Sequence, residues 1–348
     1  MKLNKLSPTT TLDGSRPPID TQNDIPVISS SRESSPSPKS DTLMPPARPH
    51  RPAAERWAIP MIAGSCVLVS VNGLVIRSFD SVSDWQIIFY RQAFFIAGML
   101  LVLILQFRSR LPGMFRQVGW AGIGGAISLG LANPTFIMAL SHTTVASALF
   151  TISAAPLITA VLARIFLKEY ISRPTMVAII VAIVGISIMV SDGLLSGSIF
   201  GNLLALLCAF FFSTFVIFLR VGKDRNMLPA SVMGAIIGGL IGLVGSGFDF
   251  RVSLPDLSLF FLWGAVIATI VHYFFTLGSR YITGAEIMLI TLIEFTLGPI
   301  WVWLAFGEQP TRLALIGGII VLSAVAARSL IMMYQRRTAR HINANRTR

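Results

Sequence analysis

Ten long apolar segments separated by short polar stretches occupy the chain from Trp57 onward. Each is about 18–24 residues long, enough for a helix rising about 1.5 Å per residue to cross the roughly 30 Å hydrocarbon core of a bilayer. The segments lack the polar faces that ten helices of a soluble bundle would carry. The pattern therefore predicts an all-α membrane protein with transmembrane helices at residues 57–76, 85–106, 117–140, 144–166, 174–191, 200–219, 228–247, 257–278, 285–306 and 313–333.

The composition agrees with this pattern. Hydrophobic residues make up 53% of the 348-residue chain and charged residues only 13%, whereas soluble domains usually carry about a quarter charged residues. The net charge of +12 would also suit a nucleic-acid-binding protein, but the basic residues lie in short loops and in the C-terminal tail instead of forming one stripe. Attraction to anionic lipid headgroups explains that distribution, so the lipid bilayer is expected as a partner and nucleic acid is not.

Two terminal segments fall outside the apolar pattern. Residues 1–56 are rich in Ser and Pro and lack apolar periodicity, which predicts a disordered cytoplasmic tail. They contain no apolar stretch followed by a small-residue cleavage site, so no cleavable signal peptide is expected. Residues 334–348 are expected to form a basic cytoplasmic tail. The whole pattern predicts a multi-pass protein of the cell membrane.

The loops predict the orientation, because Lys and Arg are retained on the cytoplasmic side of a membrane. With an inner N-terminus, nine basic loop residues lie inside and three outside. The inner set is Arg108, Arg110, Arg116, Lys168, Arg173, Arg220, Lys223, Arg225 and Arg280, and the outer set is Arg77, Arg251 and Arg312. Both termini are therefore expected in the cytoplasm.

An internal repeat appears when the chain is aligned with itself at an offset of 139 residues. Residues 136–169 then align with residues 275–308, so that Glu169 meets Glu308. With five spans in each half, the copies must lie in the bilayer upside down relative to each other. The repeat predicts two inverted five-helix halves, residues 57–191 and 200–333, an architecture that recurs in secondary transporters. The alternative is a duplication that merely enlarged a helical bundle.

The fourth and ninth helices carry a duplicated signature. The first copy runs from Ala146 through Pro156 to Leu167-Lys168-Glu169, and the second from Thr283-Gly284-Ala285 through Glu294 to Phe306-Gly307-Glu308. These residues resemble the signature of the drug/metabolite transporter superfamily in its EamA-domain branch, over residues 57–333. One departure is Glu294-Phe295 where the family often has Glu-Pro; the proline is delayed to Pro299. The resemblance implies a ten-helix permease for small organic solutes such as amino acids or their derivatives, often moved outward.

Glu294 is the first candidate for a transport site. It is the tenth residue of its span, about 15 Å from either interface, and an ionised side chain there costs about 2.5–3.5 kcal/mol on insertion scales. Thr291, Gly298 and Trp301 share its helix face at 3, 4, 3 spacing, which predicts a carboxylate flanked by a hydroxyl, a gap for a ligand and an indole. The aligned residues of the other copy are uncharged, so the carboxylate belongs to one half only.

Three further polar residues complete the candidate set. Arg91, the seventh residue of its span, can pair with Glu294 or bind a substrate carboxylate through two hydrogen bonds; the alternative is that it reaches the outer headgroups. Asn133 and His272 hold equivalent positions in the repeat and either line the cavity or bond between helices. The substrate-binding and coupling candidates are Glu294, Arg91, Trp301, Thr291, His272 and Asn133. Glu169 and Glu308 are expected to cap helices or to pair with Lys168, Arg173 or Arg312.

These features predict a carrier that works by alternating access around a midplane site containing Glu294, with a proton as the candidate coupling ion, and the resemblance implies transport in the export direction. The alternatives are an intramembrane enzyme, for which no His-Glu-x-x-His, Gly-x-Ser-x-Gly or phosphate loop is found, and a channel, which needs a continuous polar face. Cys66 and Cys208 lie in separate apolar segments without metal-ligand spacing. No cofactor, metal or catalytic residue is expected. Substrate identity and oligomeric state, a homodimer included, stay open.

Overall fold

A computed structural model describes residues 52–79, 81–107, 113, 115, 117–222, 227–278, 281–282 and 284–346. Most of the predicted N-terminal tail, residues 1–51, lies outside the described residues. So do Arg108, Arg110, Arg116, Lys223, Arg225 and Arg280 of the predicted inner loops, and Thr283 of the signature. The described residues from 52 onward belong to one compact unit.

The described chain is helical and contains ten helices long and apolar enough to cross a membrane, which confirms the predicted all-α, ten-span architecture. We number them as spans 1 to 10. Span 1 comprises Pro52–Ser70 and Asn72–Arg77, span 2 Asp84–Phe107, span 3 Gly119–His142, span 4 Val145–Ile152 and Ala155–Phe166, span 5 Arg173–Ser196, span 6 Ile199–Val221, span 7 Leu228–Gly245, span 8 Leu254–Phe260, a π-helix Phe261–Ala268 and Thr269–Gly278, span 9 Gly284–Phe306, and span 10 Arg312–Arg346.

Local chemistry explains several helix ends. Span 4 begins at Thr144, whose hydroxyl accepts a hydrogen bond from the Ser147 amide and so satisfies one of the free amides of the first turn. Spans 4 and 9 are each followed by a residue with left-handed backbone, Lys168 (φ 55°) and Gly307 (φ 68°). These two positions are 139 residues apart, so both copies of the signature turn in the same way directly before Glu169 and Glu308.

Glycine allows the helices to approach closely, as is common where lipid provides no hydrophobic drive for association. A Cβ atom added at Gly185 of span 5 would lie 2.7 Å from the Gly317 carbonyl oxygen of span 10, and one added at Gly130 of span 3 would lie 2.9 Å from the Gly234 carbonyl oxygen of span 7. Span 3 packs on spans 6 and 7, span 1 on spans 8 and 9, and span 5 on span 10. The first five spans therefore pack extensively on the last five, and the interior lies between the two sets.

Candidate functional site

The Arg91 side chain points into the bundle instead of towards a membrane surface. It is the eighth residue of span 2, about 10 Å from the start of that helix. Its Nη1 atom donates to Gln92 Oε1 at 3.1 Å and to Asn133 Oδ1 of span 3 at 3.3 Å. Among the described residues, no carboxylate lies within ion-pair distance of Arg91. The sequence-predicted candidates Arg91 and Asn133 are thus in direct contact, and neutral acceptors orient the charge.

One edge of the Arg91 guanidinium has no partner among the residues that the structure describes. Neither Nε nor Nη2 donates to any residue that the structure describes, and Nε is fully buried. Nε and Nη2 are the adjacent donors that bind a carboxylate side-on through two parallel hydrogen bonds. The arrangement can therefore accept an anionic group without giving up the contacts that orient it.

A tryptophan from span 8 supports the same guanidinium. The Arg91 guanidinium carbon lies 4.9 Å from the centroid of the Trp263 ring, a cation–π contact. Trp263 is fully buried, and its Nε1 donates to Asn72 Oδ1 at 2.8 Å. Asn72 follows the interruption of span 1, and Trp263 lies within the π-helix of span 8. π-Helical turns often occur at functional sites, and this one presents an indole to a buried cation.

His272, the span 8 candidate, joins this group through an aromatic contact. Its ring packs edge-to-face on Phe95, with 5.3 Å between the ring centroids and 66° between the ring planes. Phe95 is buried on span 2, one helical turn beyond Arg91. The structure therefore gathers Arg91, Asn133 and His272 from spans 2, 3 and 8.

Glu294 has no described hydrogen bond or ion pair with that group. It is the eleventh residue of span 9, about 15 Å from the helix start, and it is half-buried. Its carboxylate forms no hydrogen bond or ion pair with any described residue. The described structure contains no ion pair between Glu294 and Arg91.

The other residues on the Glu294 face are occupied by contacts within the bundle. Thr291 Oγ1 donates to the carbonyl of Met288 in its own helix at 2.9 Å, and Trp301 Nε1 donates to Ser70 Oγ at 2.9 Å. The gap expected at Gly298 is absent, because the Leu149 side chain of span 4 fills the space beside it. Helix periodicity alone could not reveal this, since the occupying side chain comes from another span. Only Glu294 on this face has a side chain without a described polar partner.

A polar cleft of about 400 Å³, which no sequence pattern indicated, lies at one end of the bundle, which we call the Arg77 end. The cleft is lined by Arg77, Ser141, His142, Thr143, Thr144, Ser147, Asp192, Ser198, Glu308 and Thr311. Behind it, Asn202 Oδ1 accepts from Thr143 Oγ1 at 2.9 Å and from Ser147 Oγ at 3.0 Å. Thr311 donates to Asp192, which joins spans 5 and 10.

The two signature glutamates pair with arginines at opposite ends of span 4. At the Arg77 end, Glu308 Oε2 accepts from Arg77 Nε at 2.8 Å, and Glu308 Oε1 accepts from the Val145 amide at 2.7 Å. At the other end, Glu169 Oε1 accepts from Arg220 Nη2 at 2.8 Å. Capping or pairing was expected of both glutamates, but the described partners differ from the loop residues proposed for them. The repeat was the signal that could have singled out both.

Metal chemistry finds no support in the part of the chain that the structure describes. No group of three or more His, Cys, Asp or Glu side chains there is arranged to hold a metal ion. Cys66 and Cys208 are both free and buried.

Comparisons with known proteins agree with the resemblance read from the sequence and with the fold. Residues 56–191 match the model of the EamA-like transporter family. An "uncharacterized transporter YdfC" of Bacillus subtilis (strain 168) is 26% identical over 205 residues, which span 57% of this chain and 67% of that protein. A solved structure described only as the crystal structure of a protein superposes with a TM-score of 0.58 at 15% identity, covering 80% of this chain and 98% of that one. This last likeness shows a shared fold. Together the first two confirm the resemblance read from the signature.

Proposed function

We propose that this chain, which matches the EamA-like transporter family over residues 56–191, is a multi-pass secondary transporter that exports small organic metabolites such as amino acids or their derivatives. Transport proceeds by alternating access around a site near the bilayer midplane. The coupling ion is a proton carried by Glu294. The family and the transporter-named relative favour a transporter over an enzyme.

The observation that carries the proposal is a pair of opposite charges in the apolar interior that do not neutralise each other. Arg91 and Glu294 each cost about 2.5–3.5 kcal/mol in the bilayer core on insertion scales. Neither has an oppositely charged partner among the described residues. An ion pair would reduce that cost, so their separation favours ligand binding. A substrate carboxylate fits the Nε and Nη2 edge of Arg91, and a substrate ammonium or a proton fits the Glu294 carboxylate.

The remaining candidates take supporting roles in this proposal. Asn133 orients Arg91 and His272 borders the same interior group, whereas Thr291 and Trp301 hold span 9 in place. None of these four carries a charge that balances Arg91 or Glu294. Their replacement should therefore weaken substrate binding less than the loss of either charged residue.

The inverted repeat supplies the two states that alternating access requires. Two features support it: the shared left-handed turn at Lys168 and Gly307, and the packing of the first five spans on the last five. In the proposed orientation both termini are cytoplasmic, so the Arg77 end faces outward and the Glu169 end faces the cytoplasm. Each half then exposes the central site to one side in turn.

The test is counterflow of a defined amino-acid mixture in proteoliposomes of the purified protein, with and without a pH gradient. Glu294→Gln should lower transport at least tenfold and remove its response to the gradient, and Arg91→Met should abolish uptake of carboxylate-bearing solutes. Glu286→Gln, two turns earlier on span 9, is the matched control and should keep both. Wild-type levels in Glu294→Gln would refute the site, and failure of the unaltered protein to exchange any member of the mixture would refute the substrate class.

A further inference from the structure

We propose that Glu308 and Glu169 are positioning residues that alternately hold the outer and the inner end of the transport path closed. This inference rests on the alternating access of the proposed function and adds residues that set the direction in which the site faces. The two glutamates are 139 residues apart and follow the same left-handed turn in each copy. They therefore hold equivalent places in the two halves.

Glu308 joins the ends of several spans at the Arg77 end. One carboxylate oxygen binds Arg77 at the end of span 1, and the other binds the Val145 amide at the start of span 4. Arg77 also donates from Nη2 to the carbonyl of Thr143, just beyond span 3, at 2.9 Å. The side chains of Arg77 and Glu308 are 26% and 20% exposed. The Glu308 carboxylate thus holds span 9 against spans 1 and 4, and Arg77 links the end of span 3 to the same group.

The site that receives Glu308 is suited to an anion. The first amides of a helix have no partners within the helix, and the helix dipole favours negative charge at this end. Thr144 already accepts from the Ser147 amide, so Glu308 adds a second acceptor at the same terminus. If span 9 moves away from span 4, this amide and Arg77 both lose their acceptor. The bond therefore forms in one arrangement of the halves and breaks in the other.

Glu169 provides the corresponding group at the opposite end. Its described partner, Arg220, ends span 6 as Arg77 ends span 1, and spans 1 and 6 open their respective halves. We call the Arg77–Glu308 pair the outer clamp and the Arg220–Glu169 pair the inner clamp. The Arg220 and Glu169 side chains are both 46% exposed, about twice as much as those of the outer clamp. The contact joins spans 4 and 6. Both pairs are formed at 2.8 Å, so the structure corresponds to a state in which both ends are held, and the inner pair is the more exposed to solvent.

A purely structural role for the two glutamates predicts a different effect of their substitution on which end of the bundle opens. If both glutamates merely stabilised helix ends, neutralising either would loosen the bundle in the same direction. If they select between two states, neutralising Glu308 favours opening to the outside and neutralising Glu169 favours opening to the inside. The two effects then oppose each other, and this opposition is the observation to seek.

The experiment measures access to the cleft at the Arg77 end by labelling a Ser147→Cys variant. Ser147 lines this cleft and is only 4% exposed. The background carries Cys66→Ala and Cys208→Ala. A membrane-impermeant maleimide is added outside intact cells, and the labelling rate is followed. Glu308→Gln should raise the rate about tenfold. Adding Glu169→Gln to Glu308→Gln should return it towards that of the parent.

The control is Asp192→Asn, which removes a carboxylate from the same cleft without touching the clamp. It should leave the labelling rate unchanged, and a rise equal to that of Glu308→Gln would overturn the assignment. So would an unchanged rate in Glu308→Gln, or a double variant labelled as fast as Glu308→Gln alone. If Glu308→Gln does not reach the membrane, Arg77→Gln removes the other side of the clamp and is judged by the same outcomes. Labelling needs no substrate, so a failed transport assay leaves this test intact.

Discussion

The hydrogen bond between Trp263 and Asn72 joins two of the irregular spans, spans 1 and 8, and its contribution can be worked out from the structure. Trp263 is fully buried, Asn72 is 6% exposed, and the indole nitrogen lies 2.8 Å from Asn72 Oδ1. Trp263→Phe keeps an aromatic ring over Arg91 but removes the N–H donor. The Asn72 oxygen is then left buried without its partner.

The expected cost follows from two contributions. An unpaired buried acceptor costs about 1–3 kcal/mol, although hydrogen bonds between membrane helices average only about 0.6 kcal/mol in double-mutant cycles, with a maximum near 1.7. The weaker cation–π contact of Phe with Arg91 adds about 0.5 kcal/mol. We expect Trp263→Phe to lower the free energy of unfolding by about 1–2 kcal/mol.

A double-mutant cycle isolates the hydrogen bond from the change in ring size. Asn72→Leu leaves the indole donor unpaired and should cost about 1–2 kcal/mol by the same reasoning. The double variant Trp263→Phe/Asn72→Leu leaves neither group unpaired, so it should be more stable than the sum of the single effects by about 0.6–1.7 kcal/mol. The assay is reversible unfolding in mixed SDS micelles. Additivity within about 0.3 kcal/mol would refute the reasoning.

Two further predictions concern packing between spans. Gly185→Leu should lower the apparent melting temperature in detergent, because its Cβ would lie 2.7 Å from the Gly317 carbonyl oxygen. Gly64→Ala, whose added Cβ has no atom within 4 Å, should leave the melting temperature unchanged. Equal losses in the two variants would contradict this account. Asn202→Leu leaves the buried hydroxyl groups of Thr143 and Ser147 without their acceptor and should destabilise the protein by about 2–3 kcal/mol. Ser213→Ala deletes one hydrogen bond and should cost about 1 kcal/mol. The reverse ranking in the same melting assay would contradict it.

The ten spans could be predicted closely because length and apolarity are local properties. Span 2 was expected at residues 85–106 and runs over Asp84–Phe107. The π-helix could not be predicted, since its sequence FLWGAVIA is apolar throughout and gives no periodicity by which to distinguish one helix type from another. The interruption of span 1 after Ser70 likewise has no proline or charge at that point.

The candidate site shows the same division between local and long-range information. The depths of Arg91 and Glu294 follow from their places along their helices, and those predictions needed no partner. The Arg91–Trp263 contact, the filled space beside Gly298 and the Glu308 clamp all depend on which helix faces which. Residues 231 positions apart form that clamp, and helix periodicity carries no record of such pairings.

The capping of Val145 by Glu308 also has a consequence for how the protein is made. The acceptor lies 163 residues after the donor, so span 4 is synthesised long before its terminal amide can be satisfied. Arg77 likewise has no carboxylate partner until Glu308 is made, and the Asn72 side-chain oxygen has no indole donor until Trp263 is synthesised 191 residues later. Chains grow from their N-terminus, and the first half must therefore remain unfinished until span 9 has entered the membrane. A nascent chain arrested before residue 308 would display these unsatisfied groups, by which membrane proteases could distinguish it from the completed molecule.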